Sequence, residues 1–290
     1  MKAIANSELI INKDGSIFHL HLKPENLAKN IILVGDPDRV KTVADFFDKK
    51  LFEVKNREFH TKTGEISGKK FSVISTGIGT DNIDIVLNEL DALVNIDLNT
   101  RKIKEKKISL NIVRIGTSGS LQKELEIDKP VASQTAIGFD GLLNFYKKRD
   151  EVCELEIEKN FVETINFDKR LAAPYFVNSS PELLEKIGFD MLQGFTISAP
   201  GFYGPQGRVL RLEINDKDIN EKISAYRWEE RKIMNYEMEC SAIYGLSKLM
   251  GHNALTVCNI IANRISKQYS KDYKSGVKKL IETVLSRLIN

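Results

Sequence analysis

Short apolar runs rich in β-branched residues recur along this chain, and several are closed by glycine and followed by a segment with helical spacing. This alternation constrains the fold more than any other feature. A continuous apolar run suits a strand covered on both faces, and an intervening helix supplies the cover, so the pattern predicts an α/β fold. Residues 31–34 form the first such run, closed by Gly35-Asp36-Pro37-Asp38 and followed at helical spacing by Val40, Val43, Ala44 and Phe47. Residues 71–75 form the second, followed by Thr76-Gly77-Ile78-Gly79 and an amphipathic stripe of Ile83, Val86, Leu87, Leu90, Leu93 and Val94. Residues 110–115 form the third and run into Gly116-Thr117-Ser118-Gly119. Three strand-to-glycine-loop junctions are therefore predicted, and in open α/β sheets ligands bind at such strand ends.

Later in the chain, Met238, Ala242, Ile243, Leu246 and Leu249 have the spacing of a buried helix face, with Gly251 as its stop. Residues 257–262 read as a core strand and 277–288 as a terminal helix, while 139–195 is the least regular stretch, predicted to be partly extended and partly helical. No linker or repeat divides the sequence, so residues 1–290 are expected to form one domain, with a longer irregular excursion around 144–195.

Composition narrows the function classes. The 290 residues are 42% hydrophobic and 29% charged, which describes a globular protein with a sizeable core. A net charge of +3, from 43 basic and 40 acidic residues, lacks the basic excess of a general nucleic-acid binder. Lys102, Lys104, Lys106 and Lys107 are interleaved with Glu105 and read as a solvated face. Cys153, Cys240 and Cys258 show no paired spacing, residues 1–15 contain no apolar leader core, and no segment has the length of a membrane span. A cytoplasmic location without a membrane partner is the expectation.

The candidate chemistry begins at Gly35-Asp36-Pro37-Asp38-Arg39, where glycine permits close backbone approach and Arg39 offers a planar fork of donors to an oxyanion. An ordinary turn with a surface arginine would look the same. The loop lacks the Lys-Ser/Thr ending of a P-loop and the dinucleotide fingerprint. Arg114, inside Ile112-Val113-Arg114-Ile115, is more telling: a charge in a core strand needs an anionic partner, either a structural carboxylate or a bound phosphate. With Gly116 and Thr117 following directly, two arginines, a hydroxyl and glycine amides make a candidate phosphate pocket.

Four segments, Gly35-Asp36-Pro37-Asp38-Arg39, Ser75-Thr76-Gly77-Ile78-Gly79, Arg114-Ile115-Gly116-Thr117-Ser118-Gly119 and Met234-Asn235-Tyr236-Glu237-Met238-Glu239, together resemble the nucleoside phosphorylase family. Within that family the chain is most similar to the uridine-cleaving members, through Phe202-Tyr203-Gly204-Pro205-Gln206-Gly207-Arg208 and Asn263-Arg264. The resemblance implies a single-domain, three-layer α/β/α fold around a central mixed, partly barrel-like sheet. It also implies phosphorolysis of uridine to uracil and ribose 1-phosphate in pyrimidine salvage; a purine nucleoside phosphorylase or a nucleosidase of the same fold is the alternative.

Carried over residue by residue, the resemblance makes Gly35, Arg39, Arg57, Arg114 and Thr117 the phosphate ligands and His19, Met238 and Glu239 the ribose ligands. Phe202, Gln206, Arg208 and Arg264 become the uracil site, and catalysis falls to Arg208, Gln206, Arg114 and Glu239. His19 and Arg57 match residues that reach a neighbouring subunit's pocket, implying a homo-oligomer that is a dimer at minimum and a trimer of dimers as a hexamer. No organic cofactor is implied. Glu58 matches a glutamate through which some members hold a monovalent cation, but Asn82 stands where that site has a serine, so no metal is expected. Each residue also has a plainer reading: His19 beside His21 as an ordinary polar strand residue, Glu239 as a helix-dipole partner, Phe202 and Tyr203 as loop aromatics.

Overall fold

The computed structural model describes residues 2–290. Strand β1 (Asn30–Val34) leads into helix α1 (Pro37–Ala44), whose start is set locally: the Asp36 carboxylate accepts from the Asp38 amide, and Pro37 presets the first helical φ. Strands β2 (Lys49–Asn56), β3 (Phe59–Ile66) and β4 (Lys69–Ser75) form an antiparallel meander, and α2 (Thr80–Asn95) follows. A short ribbon, β5 (Ile96–Asp97) with β6 (Lys102–Ile103), precedes β7 (Asn111–Ser120) and β8 (Pro130–Gly138). The stretch that looked least regular is partly helical and partly extended, with α3 (Leu155–Ile165), β9 (Tyr175–Asn178), α4 (Pro181–Gly188) and then β10 (Leu192–Ser198). Helix α5 (Ile219–Ala225), β11 (Arg227–Trp228), β12 (Arg231–Glu237), α6 (Cys240–Met250), β13 (Asn253–Asn263), β14 (Gln268–Tyr269) and α7 (Tyr273–Ile289) complete the chain.

The main sheet runs β11-β12-β10-β8-β13-β7-β1-β4-β3-β2, and β12 also pairs with β7. That extra pairing closes β7, β13, β8, β10 and β12 into a five-stranded barrel, from which β1 to β4 extend as an open flank. The barrel is mixed: β7 with β13 and β8 with β10 are parallel, whereas β8 with β13 and β7 with β12 are antiparallel.

Strand β1 shows why its apolar run is unbroken. Ile31 and Leu33 join the cluster that contains Ile83 and Leu87 of α2 and Ile243 and Leu246 of α6. Ile32 and Val34 join Val40 of α1, Ile187 of α4 and Leu280 and Val284 of α7. Helices thus cover both faces, giving the three layers expected. Beside the barrel, Phe161, Phe176, Phe195 and Tyr226 interlock edge to face or tilted, with centroids 5.0 Å apart for Phe161–Tyr226 and 5.3 Å for Phe161–Phe176. Among the described residues no helix is long and apolar enough to cross a membrane.

Two local expectations fail. Gly116-Thr117-Ser118-Gly119 is not a loop but the continuation of β7, paired with Cys258, Asn259, Ile260 and Ala262 of β13, and at Gly119 with Tyr236 of β12. The ladder with β13 holds the whole segment and barrel closure adds β12 at Gly119, so the backbone stays extended despite two glycines. Met238 is likewise not part of the buried helix face: α6 begins at Cys240, and Met238 lies half-buried in the turn between β12 and the helix.

Candidate active site

A cavity of about 660 Å³ opens where β1, β4, β7 and β12 end, and its walls include Gly35, Arg39, Arg114, Thr117, Phe202, Gln206, Arg208, Met238 and Glu239. Nine of the predicted site residues, spread over the whole chain, therefore meet in one place. Arg264 is absent from the wall. It stands behind the loop, its Nη2 donating to the Gly207 carbonyl at 3.4 Å. A larger cavity of about 1030 Å³ lies on the far side of residues 202–208, walled mainly by apolar groups such as Phe139, Phe167, Leu171 and Leu212; of the predicted site residues only Arg208 borders it.

Arg114 organises the inner end of the smaller cavity. Its guanidinium folds back along β7 over Gly116, where a Cβ would stand 2.1 Å from Arg114 Nη1. Glycine at that position is what lets an arginine lie in a barrel wall. Nη1 meets Glu237 at 3.2 Å and the Cys258 sulfur at 3.5 Å, and Nη2 donates to Glu239. Burial would drive the Arg114 proton off, but the carboxylates of Glu239 and Glu237 more than offset this and keep the group protonated. Burial also raises the Glu237 carboxyl above its ordinary range, with Arg114 opposing the shift and Glu239 adding to it.

Arg39 is held differently. Its Nη1 donates to the Ile115 carbonyl at 3.2 Å, and no carboxylate pairs with it among the described residues. Burial, and then the charge of Arg114, hold its pKa below the usual arginine value. A half-buried cation facing a cavity without its own counter-ion suits an anionic ligand.

The 202–208 segment forms the opposite wall. The Arg208 guanidinium lies 3.8 Å from the Phe202 ring centroid, and its Nη1 donates to the Phe202 carbonyl at 2.6 Å and to Gln206 Oε1 at 2.5 Å. Desolvation, and then Arg264, push the Arg208 pKa down to about 10, still far above neutral, so the group remains a cation. Gln206 is buried, whereas Phe202 is half exposed at the mouth.

His19 and Arg57 do not reach this cavity. His19 Nδ1 lies 2.7 Å from Glu89 Oε1, and the His19 carbonyl accepts from Asn56 Nδ2 at 2.8 Å. Arg57, with φ of 54° in the turn between β2 and β3, stands 5.8 Å from the Phe18 ring, which itself lies edge-on to His19 at 4.7 Å. The two residues thus form a separate cluster with Phe18.

Several lining groups were not singled out by the sequence. Glu237 sat inside a quoted motif without a role; a second acid two residues before Glu239, at a strand end, was the available signal. Tyr236, Ile78, Ile261 and Tyr269 also line the cavity. Asn220 of α5 supports the loop from behind, donating to the Gln206 carbonyl at 3.3 Å and accepting from the Tyr236 hydroxyl at 3.1 Å. Nothing local in sequence marks it. Glu58 lines the cavity, and the Asn82 side chain packs against Gly77, where a Cβ would lie 2.5 Å from Asn82 Nδ2. Among the described residues no group of three or more His, Cys, Asp or Glu is arranged to hold a metal ion.

Comparison with known proteins agrees with this geometry. The chain is 28% identical over 288 residues to the uridine phosphorylase of Escherichia coli, covering 94% of this chain and 98% of that one. It is 26% identical over 261 residues to the uridine phosphorylase of Thermococcus kodakarensis, covering 89% and 82%. A crystal structure of a Trypanosoma brucei nucleoside phosphorylase, described as showing uridine phosphorylase activity, superposes with a TM-score of 0.84 at 27% identity, covering 97% of this chain and 99% of that one. The sequence pattern of the Phosphorylase superfamily matches residues 29–289, and the chain belongs to that family.

Proposed function

We propose that this protein is a uridine phosphorylase, a pentosyltransferase that converts uridine and inorganic phosphate to uracil and ribose 1-phosphate. The observation that carries the reading is one cavity with two arginines at its inner end, one of them without a carboxylate among the described residues, facing a Phe-Gln-Arg wall. Arg39, Arg114, Thr117 and the Gly35 backbone bind phosphate. Met238 and Glu239 hold the ribose, the carboxylate accepting from its hydroxyls. Phe202 stacks on uracil while Gln206 and Arg208 bind its polar edge, with Arg264 supporting from behind.

As the glycosidic bond lengthens, the sugar gains oxocarbenium character and the departing uracil takes the electron pair. Gln206 and Arg208 stabilise that anion; the phosphate dianion stabilises the sugar cation and then forms the new bond at the anomeric carbon. The reaction needs no organic cofactor. A nucleosidase would use water and have no need of Arg39 and Arg114 at this position. The separate cluster of His19 and Arg57 supports a homo-oligomer in which each copy completes its neighbour's site, a dimer at minimum and a hexamer as three dimers. Three unpaired cysteines suit a reducing, cytoplasmic setting.

The direct test is uracil release from uridine with and without phosphate, followed by product analysis. Release should require phosphate and yield ribose 1-phosphate; equal release in phosphate-free buffer would identify a nucleosidase. Inosine assayed beside uridine separates the purine alternative.

A further inference from the structure

Two buried carboxylates share the Arg114 guanidinium, and they are held very differently. Glu237 accepts from the Ser198 hydroxyl at 2.5 Å, from the Glu239 amide at 2.9 Å and from the Cys240 amide at 3.0 Å. It is clamped at the start of α6, where unpaired amides and the helix dipole favour an anion. Glu239 has a single amide donor, Gly79 at 2.7 Å, besides Arg114 itself. The carboxylate proposed to receive the ribose hydroxyls is thus also the one engaged by the proposed phosphate-binding arginine, and it is the more loosely anchored of the two.

We infer that Glu237 is a positioning residue, the fixed counter-ion that stays with Arg114 while Glu239 leaves Arg114 to accept the ribose hydroxyls. The inference rests on the phosphorolysis reading and deepens it. Separating Glu239 from a buried arginine with no other anion would leave an uncompensated charge, the costly way to break such a pair. With Glu237 fixed at Nη1, Arg114 keeps a partner and Glu239 is free to exchange. The same negative charge opposes the incoming phosphate. Glu237 therefore favours nucleoside binding at the expense of phosphate binding, and its removal moves the two substrates in opposite directions. A residue that merely shaped the pocket would weaken both.

The experiment compares wild type with Glu237→Gln, which keeps one oxygen for Ser198 and the Cys240 amide, gives up acceptance from the Glu239 amide and carries no charge. KM for uridine should rise at least about tenfold and KM for phosphate fall at least several-fold, since one unit charge a few ångströms away is worth about fivefold even under the screening of bulk water and more in a protein interior. Glu237→Asp, which restores the charge, should return the phosphate KM toward wild type. Both constants rising together, or neither changing, overturns the inference. Should Glu237→Gln not fold, Ser198→Ala, which loosens the clamp and leaves the charge, decides: uridine KM rising a few-fold with phosphate KM unchanged supports the inference, and any other pattern rejects it. Calorimetric titration of inorganic phosphate reads the effect without turnover. A wild-type chain inert toward uridine would therefore sink only the function reading. Phosphate binding tighter in Glu237→Gln would still support the role of Glu237, and equal or weaker binding would refute it.

Discussion

Arg208 meets two demands at once. It stacks on Phe202 and bonds its own loop through the Phe202 carbonyl and Gln206, yet it is only half-buried and turns part of its fork toward the cavity. A preorganised cation beside a leaving anion is worth most in the transition state, so Arg208→Ala should lower kcat for uridine about 100- to 1000-fold. The fold should survive, because the substitution empties no core cluster; steady-state kinetics beside a thermal melt checks both halves, and near-wild-type turnover would move the uracil site elsewhere. Arg208 was reached in sequence only through the family resemblance, whereas Arg114 was readable because its chemistry conflicts with its surroundings. Arg114 in an apolar strand announced that it needed an anion; of the two open answers the structure supplies the internal acid, with Glu237 and Glu239 taking two of its nitrogens, and phosphate remains the proposed ligand of the cavity lined by Arg39 and Thr117. Asn220 was not readable. A polar residue on a polar helix conflicts with nothing until the loop it supports is folded against it.

At the scale of elements, β7 carries most of the consequence. Its ladder with β13 runs from Asn111 to Ser120, and its last two residues pair with β12, so one strand both closes the barrel and supplies Arg114 and Thr117 to the cavity wall. Periodicity located the strand's first half. It could not locate the second half, because glycine and threonine after an apolar run signal a turn unless neighbouring strands, here both more than a hundred residues further on, claim their hydrogen bonds. Gly116 is where this matters for function: a methyl group there would collide with Arg114 Nη1 and approach the Cys258 sulfur at 3.0 Å. Gly116→Ala should destabilise the protein by about 1–3 kcal/mol through overpacking and push the guanidinium out of place. Chemical denaturation measures the first effect, and a rise in phosphate KM the second. Alanine tolerated with unchanged stability and KM would mean that Arg114 has room the present packing denies it. The helices were the easier elements: α2 buries one stripe, α6 is buried on every side from Cys240 to Ser247, and Gly251 ends α6 in the left-handed conformation its position suggested.

For the whole molecule, the unresolved demand is that two residues proposed to bind substrate stand away from the cavity of their own chain. His19 is tied to Glu89 and Asn56, and Arg57 caps the turn between β2 and β3 beside Phe18. The proposed homo-oligomer answers this demand if a two-fold axis sets the cluster at the neighbour's cavity, in which case each copy receives the same in return, since an isologous contact is reciprocal. Arg57→Ala and Arg114→Ala homo-oligomers should therefore each be nearly inactive, because every site in either protein lacks a phosphate ligand. In a mixed dimer one site carries both defects, and the other combines an intact Arg114 with an intact Arg57. Statistical exchange places about half of the dimers in that state, each with one working site of two, so about a quarter of wild-type activity should return. Native mass spectrometry of the two variants, carrying tags of different mass, establishes whether exchange has occurred. If mixed dimers are present and uridine turnover stays at the level of the parents, Arg57 serves its own chain or no site at all, and the cavity described here is complete within one protomer.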